Sequence, residues 1–182
     1  MNMNFINAMA ALSMINESAT DYQEEYKKYI IDHKARVKKF ADWLKENLPE
    51  VFNDVDMNAF DEVIAEHDDS KFGEEEFEPY AERFYNNGEE GFEFEQAWEH
   101  HWLTNEHHPE HWLGEDMPYI YILETLCDWG SFSIDKGDLH ELIDYYYEQA
   151  CDDEEKNLSD NTKFIIEEIL EKIESVIEGG ND

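Results

Sequence analysis

Apolar residues recur every three or four positions along most of this chain, the spacing that gathers one face of an α-helix. Between Asp21 and Asn47 the positions Tyr26, Ile30, Val37, Phe40 and Leu44 form one continuous stripe, and Pro49 ends that helix. A second helix opens at Asp54 or Asp56, either of which can cap it, and carries Phe60, Val63 and Ile64 on one side. A break follows at HDDSKFG, then a helical stretch from Glu74 to Tyr85, and Asn86-Asn87-Gly88 with Gly91 marks a loop. Phe94, Ala97, Trp98 and Trp102 open the next helix, which runs into an irregular segment holding Pro109 and Gly114. Met117 to Trp129 reads as a helix with Pro118 in its first turn, where a missing N–H costs little. Two more helices follow, Asp138 to Ala150 and Asn161 to Ile177, with Gly179-Gly180 closing the second. Strand-like alternation is almost absent. The pattern predicts an all-α, single-domain helical bundle over residues 1–182, with a motif-bearing core at about 25–135 and helices at 138–178 packed on it.

Composition sharpens that expectation. At 182 residues, with 41% apolar and 14% aromatic side chains, the chain can bury a core despite a net charge of −34. Forty-seven acidic side chains against 13 basic ones repel nucleic-acid backbone and anionic lipid alike, so nucleic acid is not an expected partner. Small anionic substrates held through metal, and basic protein partners, remain compatible. No stretch approaches the roughly 20 apolar residues of a membrane span. The first 23 residues have an apolar patch without a basic lead and read as a helix, not a signal peptide. Cys127 and Cys151 lack ligand spacing, which suits a reducing cytoplasm.

Histidine placement carries the candidate chemistry. Five of the eight histidines fall between His100 and His111. His33 lies between Ile30 and Val37 in the first stripe, His67 follows Val63 and Ile64 at helical spacing, and His101 follows Ala97 and Trp98 likewise. Each therefore falls on an apolar face. A buried imidazole needs a partner for each nitrogen and a buried carboxylate needs a cation. Three inward histidines on three helices, with Asp68 beside one of them, satisfy one another around a divalent ion: Mn, Fe, Co, Ni, Zn or, with more oxygens, Mg. Asp128 offers a further ligand from a late helix, and Glu124 shares its face one turn earlier. His140 and the acidic runs Glu74–Glu76 and Asp152–Glu155 read as solvated surface, and Trp98, Trp102 and Trp112 as core or pocket wall.

The series His33, His67-Asp68 and Asp128 resembles the H…HD…D signature of the HD-domain metal-dependent phosphohydrolases. His67-Asp68-Asp69-Ser70-Lys71 is similar to the HDxGK form of HD-GYP phosphodiesterases, with serine in place of glycine, and His107-His108-Pro109-Glu110 is similar to their HHE element. The GYP element is missing, and His101 lies closer to His107-His108 than in that branch. A closer resemblance, over residues 30 to 130, is to an uncharacterised HD-like family of phage and bacterial proteins. It rests on HDDSKF at 67–72, EEF at 75–77, AWEHH at 97–101, NEHHPEHW at 105–112, Met117-Pro118 and Glu124-x-x-x-Asp128-Trp129.

The resemblance implies an HD-domain-like bundle with His33, His67, Asp68 and Asp128 as the primary metal ligands. His101 with His107 or His108 would hold a second ion. Asp68 or a spare histidine such as His101 would handle the proton, and Lys71 would contact a substrate phosphate or pair with a ligand carboxylate. The implied activity is metal-assisted hydrolysis of a small phosphate-containing molecule, a nucleotide or cyclic nucleotide, in the cytoplasm (the host's, if a phage encodes the chain). Two other readings stand beside it. A chain this acidic could occupy a basic host protein as a nucleic-acid mimic without catalysis. Some HD proteins, such as myo-inositol oxygenase, instead use a di-iron site to activate oxygen.

Overall fold

The computed structural model describes the backbone of residues 3–88 and 91–179 and the side chains of residues 21–88 and 91–179. Within them every regular element is helical, as the spacing predicts: α1 (Met3–Asn47), α2 (Met57–Glu66), α3 (Phe77–Tyr85), α4 (Phe92–Thr104), α5 (Tyr119–Gly130), α6 (His140–Tyr145) and α7 (Asp160–Gly179). Single 3-10 turns lie at Pro49–Phe52, Asp69–Phe72 and Pro109–Trp112. No helix among the described residues is long and apolar enough to cross a membrane.

Local chemistry sets the boundaries. α1 stops two residues before Pro49, and the Asp56 side chain caps α2 by accepting from the Asn58 and Ala59 amides at 2.9 and 3.4 Å. Two boundaries depart from the periodicity. α3 begins at Phe77, not Glu74, and Glu76 is fully buried just ahead of it, so only Glu74 and Glu75 are the solvated part of that acidic run. The stretch expected as one helix from Asp138 to Ala150 is α6 followed by a π-helical turn at Tyr146–Ala150, closed by the Cys151 amide on the Tyr146 carbonyl. α7 runs through Gly179; Gly180 lies outside the described residues, as do the side chains of the first 20.

The chain divides into two compact units, residues 1–31 with 70–101 and residues 32–69 with 102–182. The first has an aromatic core in which Tyr22, Tyr26, Ile30, Tyr80, Ala81 and Ala97 are buried, flanked by Phe77, Phe94 and Trp98. The second packs α5 against α2, α6 and α7. Residues 122–127 of α5 are all buried, so this helix is enclosed on every side and whatever polar groups it carries are enclosed with it. Phe40 of α1 reaches the end of α5 at Gly130, where an added Cβ would meet its ring at 2.4–2.6 Å. Phe40 is itself fully buried and has no room to yield. Gly130→Ala is therefore expected to destabilise the protein by about 1–3 kcal/mol, read as a lower urea midpoint; an unchanged midpoint would mean the ring moves freely.

Candidate metal centre

Four segments of the second unit bring the predicted ligands together. His33 projects from α1 and Asp128 from α5, as expected of helical positions. His67 and Asp68 do not lie within a helix: α2 ends at Glu66, His67 is its C-cap, and Asp68 adopts the left-handed conformation at φ 59°. Aspartate tolerates that conformation better than most residues, and the chain turns there sharply enough to bury both side chains of the pair. His107 and His108 come from the loop before the Pro109–Trp112 turn, where the Thr125 hydroxyl of α5 donates to the His107 carbonyl.

The donor atoms converge. His33 Nε2 lies 3.3 Å from His67 Nε2, 3.4 Å from Asp68 Oδ2 and 3.0 Å from Asp128 Oδ1. His67 Nε2 is 3.6 Å from each of the same two carboxylate oxygens. Ligands held at 2.0–2.2 Å on one ion stand roughly 3.0–3.6 Å apart, so these five separations suit a shared divalent ion. Asp68 turns its other oxygen toward His107, with Oδ1 3.8 Å from Nε2. Donor atoms of Asp68, His107 and His108 lie within 4.8 Å of one another, as do those of His67, His107 and Asp128. Buried histidine and aspartate groups of this chain can thus hold a metal ion.

The far side of each ring is equally ordered. His67 Nδ1 is 2.9 Å from Glu124 Oε1, and His107 Nδ1 is 3.2 Å from the same oxygen. His33 Nδ1 faces the Ser131 hydroxyl at 3.3 Å, and His108 Nδ1 faces Glu110 Oε2 at 3.5 Å, with Lys156 behind Glu110 at 3.9 Å. A carboxylate on Nδ1 fixes that nitrogen as the N–H donor and leaves Nε2 as the electron-pair donor, the arrangement typical of metal-binding histidine.

Charge explains why the polar cluster tolerates burial. Burial opposes protonation of His67, but the Asp68 charge, with Asp128 and Glu124, raises its pKa to about 10. His33 is raised as well, burial being outweighed by Asp128 and Asp68. Burial likewise opposes ionisation of Asp128 and Glu124, yet the imidazoles hold Asp128 well below the usual carboxylate range and lower Glu124. Burial and the neighbouring His107 together lower His108. Without metal, protonated histidine is the counter-charge to these carboxylates. Asp128 keeps 18% of its side chain accessible, against 0–3% for His33, His67 and Asp68, so it marks the open side of the cluster.

The other predicted site residues belong to the first unit. His101 is buried on α4 with Nδ1 2.8 Å from Glu76 Oε2, and His100 lies half-buried with Nδ1 2.7 Å from Glu76 Oε1. Ser70 Oγ is 3.3 Å from His101 Nδ1. These contacts lower the Glu76 pKa against the effect of burial. Lys71 is half-buried in the Asp69–Phe72 turn. Two histidines stand aside: His111 Nδ1 meets the Trp102 carbonyl, and His140 is exposed beside Asp138, as expected of a surface position.

Sequence reasoning missed the acceptors behind the rings. Glu124 was visible only as a helical neighbour of Asp128, and Glu110 only as part of HHPE. Ser131 and Glu76 gave no signal, since hydroxyl and acidic side chains at helix ends are ordinarily solvated. Over residues 22–172 the chain matches a family of unknown function, DUF5662, and it belongs to that family. No curated protein and no solved structure matches it.

Proposed function

We propose that this member of the DUF5662 family is a metal-dependent phosphohydrolase of HD-domain type that acts on a small phosphate-containing molecule, such as a nucleotide or cyclic nucleotide. The observation that supports this is the convergence of the His33 and His67 Nε2 atoms on Asp68 and Asp128, while an oxygen backs each Nδ1. In this reading Asp68 reaches both ways, its Oδ2 toward His33 and His67 and its Oδ1 toward His107, and would help to hold two ions. An imidazole-rich set of this kind suits Mn, Fe, Co, Ni or Zn better than Mg.

A divalent ion bound there supplies Lewis acidity and a nucleophilic water at neutral pH. The chain's own contribution is to hold the donors in place and to exclude solvent except where Asp128 and His108 keep 18% and 16% of their side chains accessible. Substrate approaches from there. The surrounding surface is strongly acidic, with a net charge of −34, and this disfavours long polyanions while leaving small phosphates within reach of the ions.

Metal analysis tests this directly, on protein purified without added metal and dialysed to strip ions gathered by the acidic surface. Tightly held metal is expected in the wild type, with hydrolysis of at least one member of a panel of nucleoside phosphates and cyclic nucleotides, lost in Asp128→Ala. Metal content unaffected by His67→Ala, or hydrolysis unaffected by Asp128→Ala, would overturn the reading. Oxygen consumption in place of phosphate release would favour the di-iron alternative. Tight capture of a basic protein, indifferent to both substitutions and without hydrolysis, would favour the mimic.

A further inference from the structure

Glu124 touches a histidine from each of the two donor groups. Its Oε1 lies 2.9 Å from His67 Nδ1 and 3.2 Å from His107 Nδ1, and the two rings are 4.3 Å apart between centroids. His33 and His108 have partners of their own, Ser131 and Glu110. We infer that Glu124 is the positioning residue common to both ion positions, fixing His67 and His107 together so that each presents Nε2. The inference rests on the two-ion reading above.

Three features carry it. An ionised carboxylate only accepts hydrogen bonds, so both rings on this oxygen must carry their proton at Nδ1. Glu124 cannot swing away, because it is 4% exposed on a helix enclosed on every side. The backbone on the His107 side is pinned to the same helix, where Thr125 donates to the His107 carbonyl. The two rings therefore share one fixed acceptor, and its loss frees both at once. Removal of an outer partner of a metal-bound histidine typically costs about 10–100-fold in metal affinity.

The test is Zn²⁺ binding, by chelator competition with stoichiometry from metal analysis, in wild type, Glu124→Gln, Glu110→Gln and Ser131→Ala. Glu124→Gln preserves shape and is expected to weaken both ions by roughly 10–100-fold, whereas Glu110→Gln and Ser131→Ala each weaken one. A folded Glu124→Gln that weakens only one ion, or neither, overturns the inference. Nitrogen-15 spectra of the metal-free protein give a readout that a general loss of stability does not mimic. The Nδ1–H protons of His67 and His107 are expected far downfield in wild type, both moving in Glu124→Gln. If the wild type takes up no ion, the two-ion reading falls, and these signals still decide the role of Glu124: signals that stay in place refute it. If Glu124→Gln does not fold, the wild type alone decides, because Zn²⁺ on Nδ1 of either ring, or the absence of a hydrogen-bonded Nδ1–H on either, refutes it.

Discussion

In the proposed two-ion reading, Asp68→Asn is expected to remove both ions and abolish phosphate-ester hydrolysis. Asp68 turns its two oxygens to different members of the cluster, Oδ2 toward His33 and His67 and Oδ1 toward His107. Asparagine keeps the shape and, like aspartate, tolerates the left-handed backbone at φ 59°. Its neutral amide leaves one oxygen in place of two and no charge to offset a divalent cation. The affinity loss at each position should exceed the roughly 10–100-fold that follows from removing an outer partner. Alanine at the same position adds about 1–2 kcal/mol of backbone strain, so its unfolding midpoint should fall below that of asparagine. Metal analysis and a urea melt on the two variants separate these effects; normal metal content in Asp68→Asn would sink the assignment of Asp68 as a shared ligand.

The second large effect is on pH. In the metal-free protein His67, with its pKa raised to about 10, carries a proton at neutral pH, and an ion that takes Nε2 must displace it. That proton alone makes affinity fall about tenfold per pH unit below 10, or about 100-fold between pH 8 and pH 6. Calorimetry in buffers of different ionisation heat should detect at least one proton released per ion bound at the His67 position. Affinity constant from pH 6 to 8 would contradict the charge state assigned to His67. Stability without metal has the matching sign. The folded-state pKa of His67 lies above its ordinary value of 6.5, so its contribution is complete below 6.5 and disappears as pH rises toward about 10. Asp128 and Glu124 are shifted downward, so their contributions are present above the ordinary carboxylate range and are lost in acid. Metal-free protein is thus weakened at both ends of the pH scale.

Much of this was legible from spacing. The stripe Tyr26, Ile30, Val37, Phe40, Leu44 is buried throughout, with His33 in the middle of it, because a period of 3.6 residues fixes which side chains share a face whatever packs against them. The same rule put Glu124 and Asp128 on one side of α5, and the groups that face them are the His33, His67 and His107 imidazoles. The spacing rule failed at the ends of helices. It carried His67 onto α2 when His67 is the residue that leaves it, and it left Glu76 in solvent when Glu76 is buried beneath His100 and His101.

His67-Asp68 shows where the two kinds of information divide. The sequence alone determined that the chain is helical, which faces are apolar, and that this pair lies at the end of an apolar face where an unpartnered imidazole and carboxylate would be costly. Those are consequences of local periodicity and of the free energy of burying polar groups. Only the tertiary structure decided which nitrogen of each ring turns inward, that one oxygen of Glu124 serves two rings, and that Asp68 faces donors on two sides. Those depend on distances between side chains from α1, α2, α5 and the His107 loop, segments far apart along the chain. No local pattern encodes such a distance, because it is set by how the helices pack.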